Sequence, residues 1–202
     1  MRVVIKGDVR RWKRMGKPRI LKRFFGIVVG HQSFRNPCTG KTYPFSFFEV
    51  ADGFTVFALT AGPKPEVILV RQFKQAADRV VIEAPGGQWR RNEALLDAAR
   101  RELREETGYV AEALVQTSPK HGWWLGPRKS RNIAHTFLAT GCTLEGAQEL
   151  DRGEGPIEVL AYTPEEFWDL ATNGTIRSFQ TVLAAHCAVA LRAFKPRKLP
   201  PP

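Results

Sequence analysis

Cysteine is scarce in this 202-residue sequence: Cys38, Cys142 and Cys187 lie far apart and their number is odd. That excludes a disulfide framework and the paired spacing of a zinc knuckle. Small, half-buried thiols in a reducing compartment are expected. Long apolar runs are missing as well. No stretch approaches the roughly 18 residues that a membrane helix needs, so no membrane partner is expected. The opening Met1-Arg2-Val3-Val4-Ile5-Lys6-Gly7 is charged early and lacks the apolar core of a signal peptide. A cytoplasmic protein is the expectation. His31, His121, His135 and His186 show no metal-ligand spacing.

Acidic residues are in deficit: 31 Lys and Arg face 20 Asp and Glu, a net charge of +11. Much of the excess sits in Arg10, Arg11, Lys13, Arg14, Lys17, Arg19, Lys22 and Arg23, with a smaller group at Lys195, Arg197 and Lys198. Such a patch attracts phosphates of any kind, nucleic acid included, or is simply a solvated basic face. A weak nucleic-acid contact through the basic N-terminus is one expected partnership. Apolar residues make up 43% and charged residues 25%, the proportions of an ordinary globular domain with a real core.

What is present divides into strands and a few helices. Residues 20–30 read as a strand, and Phe45–Val50 with Phe54–Thr60 read as a hairpin about Asp52-Gly53. Strands are also expected at 66–73, 79–83, 109–116, 133–139 and 157–162. After Pro85-Gly86-Gly87 comes a helix capped by Asn92, running to Thr107 and closed by Gly108. Thr163-Pro164-Glu165-Glu166 opens a second helix, which Asn173-Gly174 ends, and 178–194 forms a third. This interleaving predicts a mixed α/β (α+β) fold. The expected divisions are a basic, β-rich segment at 1–60, a catalytic domain at 61–195 and a mobile Pro-rich tail at 196–202.

The helix after the glycines carries the chemistry. Glu102, Glu105 and Glu106 share one face, since they are three and four residues apart. Leu96, Ala99 and Leu103 form an adjoining apolar stripe. Clustered carboxylates repel one another. Arg101, four residues before Glu105, offsets part of that, and a hard divalent cation among the oxygens would offset the rest. Taken alone, these acids also suit an exposed, salt-bridged helix face.

The whole spacing decides between the two. Gly87, five residues, Glu93, seven residues, then Arg101-Glu102-Leu103-Arg104-Glu105-Glu106-Thr107-Gly108-Tyr109 resembles the full Nudix box over 23 residues. Tyr109 stands where an aliphatic residue is usual. Val70-Arg71-Gln72-Phe73-Lys74 and Glu83-Ala84-Pro85-Gly86-Gly87 look like the ADP-ribose pyrophosphatase branch, as does the β-rich stretch ahead of the core, and Ser118-Pro119 is similar to a Ser-Pro-Gly element there.

The resemblance implies an α/β/α sandwich with a mixed sheet, preceded by a β-rich segment that joins a homodimer. It implies Mg²⁺, or Mn²⁺, held by Glu102, Glu105, Glu106 and the carbonyl of Gly86. Arg101 and Glu93 would hold the loop and helix together. Arg71, Lys74 and Gly87 would meet the substrate, a small nucleoside diphosphate derivative. At Lys74 the branch usually has Arg, whose bidentate fork is lost here. Arg71 and Lys74 also read as an ordinary surface end of a strand. Glu154 is the expected base, with Asp151 second, in a stretch that also reads as a plain polar loop. The tryptophans of His121-Gly122-Trp123-Trp124 would clamp a base or sugar, or plug the core. The reaction implied is attack of water on one phosphorus of ADP-ribose or a nucleoside-diphosphate sugar, giving a nucleoside monophosphate and a sugar phosphate. Two alternatives share the box: hydrolysis of nucleoside polyphosphates or RNA 5′ ends, and a binding protein without turnover.

Overall fold

The structure is a computed structural model that describes residues 10–89, 92–150 and 155–194. Its elements are β1 (Lys13–Phe24), β2 (Ile27–Arg35), β3 (Thr42–Glu49), β4 (Gly53–Thr60), β5 (Val67–Lys74), β6 (Arg79–Glu83), α1 (Leu95–Thr107), β7 (Tyr109–Val110), β8 (Ala113–Gln116), β9 (Trp123–Trp124), β10 (Ile133–Leu144), β11 (Glu158–Tyr162), α2 (Pro164–Thr172) and α3 (Phe179–Ala190). The described residues fall into two compact units, 10–51 with 124–132, and the described part of 52–123 with that of 133–194.

The first unit is a three-stranded antiparallel sheet in the order β1-β2-β3. The strand expected at 20–30 is two strands joined by a two-residue turn. Phe25 and Gly26 both have positive φ (44° and 76°), and Phe24 pairs with Ile27 across them. That is the primed turn whose twist suits a hairpin. A sequence reading misses it because Phe is an unusual residue for a left-handed position. Residues 124–132 lie against β3: Phe48 N–H donates to Lys129 O at 2.9 Å, and Arg131 pairs with Glu49 at 2.6 Å while lying over the Phe47 ring.

The second unit holds a larger, mixed sheet in the order β11-β5-β4-β10-β7, with β6 also beside β5 and β8 beside β10. β4 and β10 are parallel, and the other pairings here are antiparallel. β4 and β5 read as continuous apolar runs because both faces of the sheet are covered. The pleat sends Phe54, Val56, Ala58, Ile68, Phe137 and Ala139 toward Ala98, Ala99 and Leu103 of α1. It sends Phe57, Leu59, Val67, Leu69 and Leu138 toward Phe167 and Trp168 of α2 and Ala184, Ala185 and Ala188 of α3. The result is the expected α/β/α sandwich.

Three expectations need correction. The Asp52-Gly53 hairpin does not form: β3 pairs with β2, whereas β4 pairs with β5 and β10. Neither Asp52 nor Gly53 has positive φ. Asp52 instead ties two other segments, accepting from Trp89 N–H at its carbonyl (2.9 Å) and from Ile133 N–H at its carboxylate (2.7 Å). For the same reason β4 is a central strand of the second unit rather than part of a 1–60 segment. Finally, the strand expected at 109–116 is broken into β7 and β8. The tail at 196–202 lies outside the described residues.

Candidate active site

The site begins where β6 runs out. Pro85 O accepts from Val56 N–H at 2.8 Å and Gly87 O accepts from Phe54 N–H at 2.9 Å, so the loop continues the sheet beside β4. The alternation of an extended chain turns the intervening residue the other way. There Gly86 N–H donates to Glu106 Oε2 at 2.9 Å. Glu106 is 3% exposed, deep enough that an unpartnered carboxylate would be costly. One residue ahead of the loop, Ala84 N–H donates to the fully buried Thr181 hydroxyl of α3 at 2.9 Å. Thr181 positions the loop from 97 residues away, and nothing in its sequence surroundings marks it.

Both glycines are required by close approach. A Cβ on Gly86 would lie 2.2 Å from Phe54 O, and one on Gly87 would lie 2.6 Å from the carboxylate carbon of Glu102. The backbone at Gly87 thus forms a cradle over the Glu102 carboxylate that any side chain would fill.

Arg101 organises the acids. Its Nε and Nη2 donate to the two oxygens of Glu93 at 2.9 and 3.2 Å. Its Nη1 donates to Glu102 Oε1 at 2.8 Å and to Glu105 Oε2 at 2.7 Å. These bonds raise the guanidinium pKa, the Glu93 bond most, against the opposing effect of burial. Glu93 is gripped at both ends, because its carbonyl accepts from the Trp89 indole at 2.8 Å. That grip accounts for the displaced helix start. The cap is Ala94, without a side-chain bond, rather than Asn92. At the other end Gly108 takes the expected left-handed conformation, and its N–H donates to Arg104 O at 2.7 Å. Gln148 pins that end of the helix by donating to Glu106 O (2.5 Å) and to Ile157 O (3.1 Å).

The structure therefore brings together Glu93, Arg101, Glu102, Glu105, Glu106, Gly86 and Gly87. It does not bring Arg71 and Lys74 onto these acids' partners. Arg71 pairs across β5 and β11 with Glu158 at 2.5 Å, which raises the Arg71 pKa and lowers that of Glu158. Lys74 pairs with Glu83 at 2.9 Å. Both cations are substantially exposed. Glu154 and Asp151 lie outside the described residues. Ser118 is buried, 3.4 Å from His135 Nδ1, and burial lowers the His135 pKa. Trp123 donates to Thr136 Oγ1 at 3.4 Å, and Trp124 is 70% exposed.

An open cleft of about 570 Å³ adjoins α1, lined among others by Arg100, Arg101, Arg104, Glu105, Glu145 and Glu149. A hollow of similar size beside Lys64, Thr163 and Arg192 contains none of the box residues. Among the described residues, no three His, Cys, Asp or Glu side chains converge at the spacing of an ion site as they stand. Glu102 and Glu105 are drawn to Arg101, and Glu106 to the Gly86 amide. The donor chemistry nevertheless suits a hard divalent cation. Every candidate ligand is a carboxylate or carbonyl oxygen, and the missing side chain at Gly87 leaves the Glu102 carboxylate room beside the loop backbone.

A mixed sheet sandwiched by helices, with a glycine loop laid against a carboxylate-bearing helix, defines a Nudix-type hydrolase. Residues 51–182 match the NUDIX domain, and the chain belongs to the Nudix family as a pyrophosphatase-type hydrolase. Members of the family generally use divalent metal ions. The chain is 32% identical over 130 residues to an ADP-ribose pyrophosphatase of Bacillus subtilis, covering 64% of this chain and 68% of that protein. It is 27% identical over 146 residues to a methanol dehydrogenase activator of Bacillus methanolicus, covering 69% and 73% respectively. The fold matches a crystal structure of an ADP compounds hydrolase at a TM-score of 0.75 and 15% identity, over 92% of this chain and 96% of that one. Among the described residues, no helix is long and apolar enough to cross a membrane.

Proposed function

We propose that the protein hydrolyses the diphosphate linkage of ADP-ribose or a nucleoside-diphosphate sugar, releasing a nucleoside monophosphate and a sugar phosphate, with Mg²⁺ or Mn²⁺ as cofactor. The observation that carries this is Arg101 gathering Glu93, Glu102 and Glu105 beside a Glu106 buried against the Gly86 amide. A helix that only needed solubility has no use for a buried carboxylate tied to a glycine loop. The likeness to the Bacillus subtilis ADP-ribose pyrophosphatase supports the substrate class.

Glu102, Glu105, Glu106 and the Gly86 carbonyl would hold the cation. When bound, the ion supplies charge neutralisation for the diphosphate oxygens and acidity for an attacking water. The chain's own residues supply the rest. Arg101 and Glu93 set the carboxylates' positions. Gly87 is proposed to meet the substrate through its backbone. Arg71 and Lys74 are proposed to meet the substrate from the end of β5, exchanging Glu158 and Glu83 for phosphate or sugar oxygens. Glu154 is proposed to take the proton from the attacking water.

A panel of ADP-ribose, nucleoside-diphosphate sugars, nucleoside triphosphates, Ap4A and triphosphorylated RNA, assayed with Mg²⁺, tests the reading. Preferred turnover of a sugar diphosphate is expected, with Glu106→Gln at least about a hundredfold slower. Equal activity in that variant would remove this site from the reaction.

A further inference from the structure

The charge of the protein is concentrated in the first unit. Residues 10–51 and 124–132 contain thirteen Lys or Arg and one acidic residue, Glu49. The remainder of the chain has 18 Lys or Arg against 19 Asp or Glu, so the whole excess belongs to this unit. Cross-strand partners share a face. One face therefore carries Lys13 with Arg35 and Thr42, Arg19 with His31 and Ser46, and Lys22 with Val29 and Phe48. Those cations are exposed, as is Phe48 at 42%. The opposite face is the one packed with Gln32, Phe47 and the Trp12–Phe45–Phe34 rings.

The hairpin tip supplies an independent observation. Phe25 is fully exposed and sits at a φ of 44°. That position favours Asn, Asp or Gly, and an exposed aromatic ring there contributes nothing to packing. Packing within the chain gives no reason for it.

We propose that this sheet face and its tip bind single-stranded nucleic acid, with Lys13, Arg19, Lys22 and Arg35 along the phosphates and Phe25 and Phe48 stacked on bases. Cations in a row with intervening hydroxyls and separated rings suit a flexible polyanion whose bases are unpaired. A second copy of the same face is disfavoured by its uniform charge. A membrane entered at the tip is disfavoured by length. Lys13 lies about 30 Å along the strand from Phe24, several Debye lengths from any surface the tip would touch.

The test uses the full chain and fluorescence anisotropy with U12 RNA, dT12 DNA, a 12-base-pair duplex, and vesicles of phosphatidylcholine with 30% phosphatidylserine. Single strands should bind more tightly than duplex or vesicles, with strongly salt-dependent affinity. The combined Lys13→Ala, Arg19→Ala and Lys22→Ala variant should lower the slope of log K against log salt by about 2. Phe25→Asn should weaken binding roughly five- to a hundredfold while leaving the melting temperature unchanged or higher, because Asn suits the left-handed turn. Phe48→Tyr should retain binding that Phe48→Ala loses. Equal affinity for single strand and duplex, tighter binding to vesicles, or indifference to Phe25→Asn and Phe48→Ala would each overturn the proposal.

Discussion

The Arg101 guanidinium grips the Glu93 carboxylate with two parallel hydrogen bonds, of 2.9 and 3.2 Å, across an eight-residue separation. A planar fork aligned with a carboxylate is a contact that lysine cannot reproduce. Because the remaining Arg101 nitrogen holds Glu102 and Glu105, one side chain sets both the helix entry and the spacing of the acids.

Arg101→Lys keeps the charge but loses the fork. We expect kcat/KM to fall about 10- to 100-fold, the range seen when groups that orient metal ligands are changed. Circular dichroism should show the fold retained. Steady-state kinetics near wild-type values would mean that the acids hold their positions without Arg101.

The two loop glycines should differ in how they fail. A methyl on Gly86 meets the backbone oxygen of Phe54, whereas one on Gly87 meets the movable end of Glu102. Gly86→Ala is therefore expected to lower stability by about 1–3 kcal/mol in urea denaturation. Gly87→Ala should leave the urea midpoint nearly unchanged and weaken Mn²⁺ binding, read by titration calorimetry. Identical behaviour of the two variants would contradict this distinction.

Thr181→Val removes the acceptor for Ala84 N–H at a buried point. An unsatisfied buried donor costs about 1–3 kcal/mol. The melting temperature should fall, and turnover should fall with it because Ala84 leads into the glycine loop. Serine at 181 should restore most of both, since it keeps the hydroxyl.

Glu166 accepts from the Thr163 backbone N–H and hydroxyl, and both bonds lower its pKa. A carboxylate with a folded pKa below its unfolded value contributes stability above the unfolded pKa, and that contribution is lost as pH falls through the folded value. The capping box should accordingly weaken as pH drops below the ordinary value of 4.5. Stability profiles between pH 6 and pH 3 should fall less steeply for Glu166→Gln than for the parent protein.

Local patterns were the most legible part of the chain. α1 with its acid face, the Gly108 stop, the helix start at Thr163-Pro164 and the buried run of β5 follow from periodicity and end signals that act within a few residues. The Nudix spacing belongs to the same class, because a helix converts sequence intervals of three and four directly into a shared face. Turn chemistry misled at two points. Asp52-Gly53 carries the strongest hairpin signal yet serves as a junction to Trp89 and Ile133, and the real hairpin turns at Phe25-Gly26.

The sequence by itself determined which residues would form the acid-bearing helix, that a glycine loop precedes it, and that an excess of cations lies near the start. Each of these is a short-range property, decided by neighbours along the chain. Only the tertiary structure decided that Thr181 holds Ala84, that Gln148 ties Glu106 to Ile157, and that Arg71 faces Glu158. Those partners are brought together by strand order and sheet register, which depend on how the whole chain buries its apolar faces and leave no local trace.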